Sequence, residues 1–148
     1  MLIDREVGYR RGEGNALGSL GNAYILLDET RRAIPFFEQC LTIAREIGNR
    51  HAEGASLGNL GIAYKNLGET RRAIQVYEQQ LAIVREIGDR RGEGSALWNM
   101  SLALAQLGER AQAIKHAELA LSILEQIEDP CAAKVRAQLA EWREQTNT

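Results

Sequence analysis

The chain has 148 residues, 45% of them hydrophobic and 26% charged, with a formal net charge of -2. Such a composition is that of a soluble globular domain long enough to bury a core, and it excludes the basic excess of a nucleic-acid surface and a polybasic membrane anchor. No run approaches the ~20 apolar residues of a membrane helix, and the first residues lack signal-peptide architecture, so a cytoplasmic protein is expected.

Read in chain order, the sequence repeats itself. Residues 8–14 (GYRRGEG) recur as 48–54 (GNRHAEG) and as 88–94 (GDRRGEG), a constant step of 40 residues with no insertion. Residues 29–34 (ETRRAI), 69–74 (ETRRAI) and 109–114 (ERAQAI) keep the same step. A fixed period of this length marks stacked supersecondary units. The units are 8–47, 48–87 and 88–128. Residues 1–7, with Gly8, align with 41–48 and read as the stub of a preceding repeat helix. The chain is then expected to be the C-terminal piece of a longer array; the alternative is a short natural protein with a degenerate N-terminal cap.

Each unit predicts two helices. In the first unit, one spans about 11–27 and places Leu17, Leu20, Tyr24 and Leu27 three and four residues apart. Gly68 and Gly108 suit the left-handed cap that ends this helix, and Asp28 stands there in the first unit. The other helix spans about 31–47, with Ala33, Ile34, Phe37, Leu41, Ala44 and Ile47 at helical spacing. Gly48 and Gly88 stop it, and Asn49 and Asp89 follow as N-caps of the next unit. Pro35, where Gln75 and Lys115 occupy the other units, predicts a distorted helix start. Nothing alternates with strand period. Residues 129–145 predict a last helix, opened by Asp129 and Pro130, whose stripe of Ala132, Val135, Leu139 and Trp142 closes the stack.

The pattern Leu17, Leu20, Gly21, Tyr24, Ala33 and Phe37 resembles the tetratricopeptide repeat. Unit two matches it with Leu57, Leu60, Gly61, Tyr64, Ala73 and Tyr77. Unit three departs, with Leu97, Met100, Ser101, Leu104, Ala113 and Ala117. The period and the run Leu57-Gly58-Asn59-Leu60-Gly61 are similar to the Leu-Gly-Asn repeats of spindle-orientation scaffolds and to the arrays of bacterial multidomain signalling proteins. The resemblance implies an all-α fold: a right-handed α-solenoid of antiparallel helix pairs, three units plus a capping helix. It also implies that the first helix of each pair lines a concave, peptide-binding face. The residues carried onto that face are Asn15, Asn22 and Ile25, then Asn59, Ile62 and Lys65, then Ser95, Trp98, Asn99 and Leu102. Asn22, Asn59 and Asn99 offer amides suited to clamping a peptide backbone. Trp98 either anchors an apolar side chain or packs on the closing helix. Gly18 and Gly58 imply close backbone approach. The basic groups with which chaperone-adaptor members grip a C-terminal carboxylate are missing, since Gly18, Ser95 and Asn99 stand there.

Arg10, Arg50 and Arg90, with Glu13, Glu53 and Glu93, recur in every unit, which reads as a solvated ladder of ion pairs rather than an acidic-peptide rim. No catalytic set is visible. His51 and His116 fall in different units without a nucleophile at dyad spacing. Cys40 reads as a small buried thiol, too far from Cys131 for a disulfide, and neither belongs to a metal motif. No cofactor and no metal are expected. The expected function is a non-enzymatic protein-interaction module. The alternatives are a spacer or sensor arm of a larger signalling protein, and self-association through an open N-terminal face around Leu20, Tyr24 and Leu27.

Overall fold

The computed structural model describes residues 3–146, and within them the chain is all helical. Seven helices follow in order: α1 (Asp4–Leu26), α2 (Thr30–Ile47), α3 (Arg50–Asn66), α4 (Thr70–Ile87), α5 (Arg90–Gln106), α6 (Arg110–Gln126) and α7 (Cys131–Thr146). Each packs on its neighbour in sequence, from α1 on α2 through to α6 on α7, with a further touch between α3 and α5. This is a solenoid of helix pairs held by nearest-neighbour contacts.

The turns between units follow from two side chains. Gly48 and Gly88 adopt left-handed φ of 70° and 71°. Their left-handed turn lets the Asn49 and Asp89 amides donate to the carbonyls of Ala44 and Val84, both at 2.9 Å. The next helix is then capped at once. The Asn49 side chain accepts from the Ala52 amide at 3.0 Å, and Asp89 accepts from Gly92 at 2.9 Å. Within units, Gly68 and Gly108 are left-handed at 80° and 82°, and Asp28 holds the same conformation at 61°. Glu128, in the position of Gly88, is also left-handed at 55°. Asp129 caps α7 as expected, accepting from the Cys131 amide at 2.8 Å.

Gly8 is the exception. Sequence alignment places it with Gly48, which predicts a turn and a separate helix before it. Instead α1 runs unbroken through Gly8 from Asp4, so residues 4–7 are helical without a turn separating them from the first helix of unit one; residues 1 and 2 lie outside the described residues. The reason is at the next position. Where Asn49 and Asp89 cap a new helix, unit one has Tyr9, whose side chain has no oxygen placed to accept from the backbone. Pro35 does not break its helix either, since α2 is continuous from Thr30 to Ile47.

Packing rests on pairs of large and small residues. A Cβ on Gly21 would lie 2.6 Å from the Phe37 ring, and one on Gly61 would overlap Tyr77. The glycines admit aromatic rings that are fully buried. Unit three reverses the volumes: Ser101 faces α6, where Ala117 replaces the aromatic, and both are fully buried. There the space is taken by a second cluster that joins Ala113, Ala117 and Leu124 to Val135, Leu139 and Trp142 of α7. The predicted stripe of the last helix is thus the one that closes the stack.

Two stability predictions follow from this packing. Glu128→Gly relieves a left-handed glutamate and raises stability by about 1 kcal/mol, whereas Gly88→Ala lowers it by about 1–2 kcal/mol; thermal unfolding of both variants checks the pair. Tyr77 buries a hydroxyl that lacks a hydrogen-bond partner among the described residues, and burial raises its pKa. The unfolded phenol ionises near ~10 and the folded one above it, so stability is full below that pH and declines as pH rises. Tyr77→Phe, which copies Phe37, should stabilise by up to about 1 kcal/mol at neutral pH and flatten the loss above pH ~10, read by urea unfolding at several pH values.

Candidate functional site

At one station all three units differ in how the two helices fill the space between them. Gly18, Gly58 and Trp98 occupy it on the first helices, opposite Cys40, Gln80 and Ala120 on the second. In unit two the glutamine fills the space over the glycine, and a Cβ on Gly58 would lie 2.7 Å from Gln80 Nε2. In unit three the tryptophan fills it, and Trp98 packs against Trp142 with ring centroids 6.4 Å apart. Only in unit one are both partners small. Gly18 and Cys40 leave room, since a Cβ on Gly18 would clear the Cys40 sulfur by 3.6 Å.

That vacancy opens a groove of about 400 Å³ between α1 and α3, floored by α2. Asn15, Gly18 and Asn22 come from α1, Cys40, Ile43 and Ala44 from α2, and Ala55 and Asn59 from α3. The carbon groups of the floor are apolar and the amides stand on the walls. Two hydroxyls of the lining are already bonded within their own helices, Ser19 to the Asn15 carbonyl at 3.1 Å and Ser56 to the Ala52 carbonyl at 2.9 Å. The Asn15, Asn22 and Asn59 amides have no hydrogen-bond partner among the described residues. Arg11 lies at the margin of the groove, without an ion-pair partner among the described residues, and no carboxylate lines it. The groove therefore offers three free amides and one free guanidinium over an apolar floor.

Cys40 is half-buried and donates its thiol to the Gly14 carbonyl at 3.2 Å. Burial pushes its pKa up, which disfavours the thiolate. The thiol is therefore a wall of the groove, half-buried rather than fully buried as expected. Alkylation should accordingly modify the exposed Cys131 at least about tenfold faster than Cys40, read by mass spectrometry over time.

Of the ten residues read from the sequence as one face, three meet in the groove: Asn15, Asn22 and Asn59. Ile25 is half-buried against the first core cluster. Trp98 and Leu102 pack against the α7 cluster, which favours the structural reading of the tryptophan. Ile62 and Ser95 are exposed, and Lys65 and Asn99 half-buried, away from the groove lining. Sequence reasoning missed Cys40, Ile43 and Arg11 as groove residues. The signal for Cys40 was present, because it replaces Gln80 opposite Gly18.

The ion pairs form the expected ladder. Arg50 binds Glu53 at 2.9 Å and also Glu86, and Arg45 reaches across the unit boundary to Glu53 at 3.2 Å. Arg85, Arg90 and Glu93 repeat the arrangement one unit on. The hydrogen bond to Glu86, then that to Glu53, raises the Arg50 pKa further, and Glu46 and Glu13 do the same for Arg10. Among the described residues, no group of three or more His, Cys, Asp or Glu is placed to hold a metal ion, and no helix is long and apolar enough to cross a membrane.

Comparison with known proteins agrees with this architecture. A family model described as tetratricopeptide repeat matches residues 12–86 and again 52–126. A comparison with curated proteins gives no significant match. Among solved structures, the apo form of RapI superposes with a TM-score of 0.87 at 18% identity, over 92% of this chain and 50% of RapI. The chain thus spans half of that protein. The tetratricopeptide repeat domain of Arabidopsis FLU gives 0.75 at 22% identity, over 79% of this chain and 98% of that domain. BtubC from P. vanneervenii gives 0.79 at 18% identity, over 96% of this chain and 63% of its own.

Proposed function

The chain belongs to the tetratricopeptide repeat family, whose fold mediates protein–protein contact, and from that premise we propose that it binds an extended peptide segment of a partner protein along the α1–α3 groove. The observation that carries this reading is the set of unpartnered amides on Asn15, Asn22 and Asn59 above an apolar floor. Each amide presents both donors and an acceptor, the pattern that matches a peptide backbone. Gly18 and Cys40 form a shallow socket for one small apolar side chain. Arg11 favours an acidic residue at the groove margin. A single short groove supports micromolar affinity, about −8 kcal/mol. Ile62, Lys65, Ser95, Asn99 and Leu102 belong to the wider face of this proposal, outside the socket.

A second reading is a spacer or sensor arm without a ligand. The close similarity of units one and two favours it, but the Cys40-for-Gln80 exchange separates the two units at the one place where the groove opens.

The test is selection of displayed random peptides on the full chain, followed by fluorescence polarisation with the selected sequences. Asn22→Ala with Asn59→Ala should weaken binding at least tenfold, about 1.4 kcal/mol. Cys40→Gln should close the socket and weaken binding comparably while leaving the helical circular dichroism unchanged, because unit two already folds with Gln80 there. Selected peptides that bind both variants as tightly as the parent chain would remove the groove reading.

A further inference from the structure

Unit three departs from unit two a second time, away from the groove. In unit two, Tyr64 of α3 is 4% exposed and belongs to the first core cluster. The guanidinium of Arg72, near the start of α4, lies 4.4 Å from the centre of its ring. Arg72 also pairs with Glu69 at 3.7 Å, so ring, cation and carboxylate form one stack. Forty residues on, the same stations hold Leu104, Gln112 and Glu109. The ring and the cation are both replaced, and the carboxylate is kept.

The exchange leaves a hollow of about 380 Å³ bordered by α4, the end of α5 and the start of α6. Ile74, Leu104 and Leu107 supply its apolar surface, with Gln112 on its border. Leu104 is half-buried where Tyr64 is buried. Arg71 on the α4 side and Glu109 on the α6 side complete the rim, and neither has an ion-pair partner among the described residues. The free carboxylate is a direct result of the exchange, since Glu29 and Glu69 at the same station pair with Arg32 and Arg72. The hollow lies within the stack, because α4 and α6 each have a helix packed on both sides. It shares no lining residue with the α1–α3 groove.

We propose that this hollow is a second docking site, which takes a tyrosine and an adjacent basic side chain from a partner protein. Unit two is the template for the occupant. The partner's ring lies on Ile74 and Leu104 where Tyr64 lies one unit earlier, and its cation binds Glu109 as Arg72 binds Glu69. The cation and the ring are then neighbours, which adds the attraction of a cation for an aromatic face. Arg71, on the opposite side of the rim, donates to the phenol oxygen, so tyrosine is preferred to phenylalanine. An acidic neighbour in place of the basic one would face Glu109 and be repelled. The charge of the rim thus selects the sequence of the partner, while the apolar surface supplies the affinity.

The test titrates the peptide acetyl-Gly-Tyr-Arg-Gly-amide into the full chain and follows the isoleucine and leucine methyl groups by nuclear magnetic resonance. Saturable shifts at Ile74, Leu104 and Leu107 are expected. Leu104→Tyr copies unit two, fills the hollow from within and should weaken binding at least about tenfold with the circular dichroism spectrum unchanged. Glu109→Gln, an exposed change that keeps the fold even if Leu104→Tyr does not, should weaken it at least about threefold, as should glutamate in place of the peptide's arginine. Tyramine carries the ring and a cation without a peptide backbone and should bind more weakly than the peptide. Tyramine binding as tightly or more tightly overturns the assignment to a protein partner. Absence of shifts at these methyl groups, or binding indifferent to Glu109→Gln and to the charge of the peptide, overturns the site itself. Cys40→Gln should leave this binding unchanged, so failure here and failure of the groove reading are distinguishable.

Discussion

The architecture depends on a two-residue device between units: a glycine in the left-handed conformation followed by a side chain that caps the next helix. Gly48 with Asn49, and Gly88 with Asp89, reverse the chain so tightly that α2 must lie on α3 and α4 on α5. The glycine alone does not suffice, whereas Glu128 followed by the capping Asp129 still turns the chain. The glycine permits the turn, and the cap satisfies amides that would otherwise favour continuing the preceding helix. Gly8, followed by Tyr9, has the first half alone, and the helix runs on through it. With no turn there, Arg5 and Glu13, whose counterparts pair across the later unit boundaries, lie on one continuous helix.

Once the turns set the stacking, side-chain volume determines what each unit can do. Glycine against an aromatic ring brings the two helices of units one and two into close contact, and Ser101 against Ala117 achieves the same in unit three with α7 supplying the bulk. At the neighbouring station the pairs are Gly18 with Cys40, Gly58 with Gln80, and Trp98 with Ala120. Two of these pairs contain one large member and fill their space. The pair with two small members leaves the groove. The difference between a structural unit and a candidate binding unit thus lies in a few side chains, Cys40 for Gln80 with Asn15 for Ala55 and Asn22 for Ile62, on a backbone that is otherwise repeated.

The ladder of arginines and glutamates has a more modest role. Most of its members are half-exposed, so each pair contributes little to stability. Its value lies in register. Arg45 to Glu53 and Arg85 to Glu93 link successive units at the same station.

The sequence by itself determined the repeat length, the helix pairs, the N-caps at Asn49 and Asp89, and the closing role of Ala132, Val135, Leu139 and Trp142. These are local or periodic properties: turn chemistry acts within a few residues, and an apolar stripe is visible wherever the helical period is kept. Only the tertiary structure decided which predicted residues share a groove, that Trp98 packs on Trp142, that Tyr24 is half-buried and stacked on Phe36 at 5.4 Å instead of lying on the open face, and that Gly8 does not turn. Each of these depends on volumes and partners contributed by a different helix, or on the balance between a turn and a helix that can simply continue. A one-dimensional period cannot show that Cys40 leaves empty what Gln80 fills.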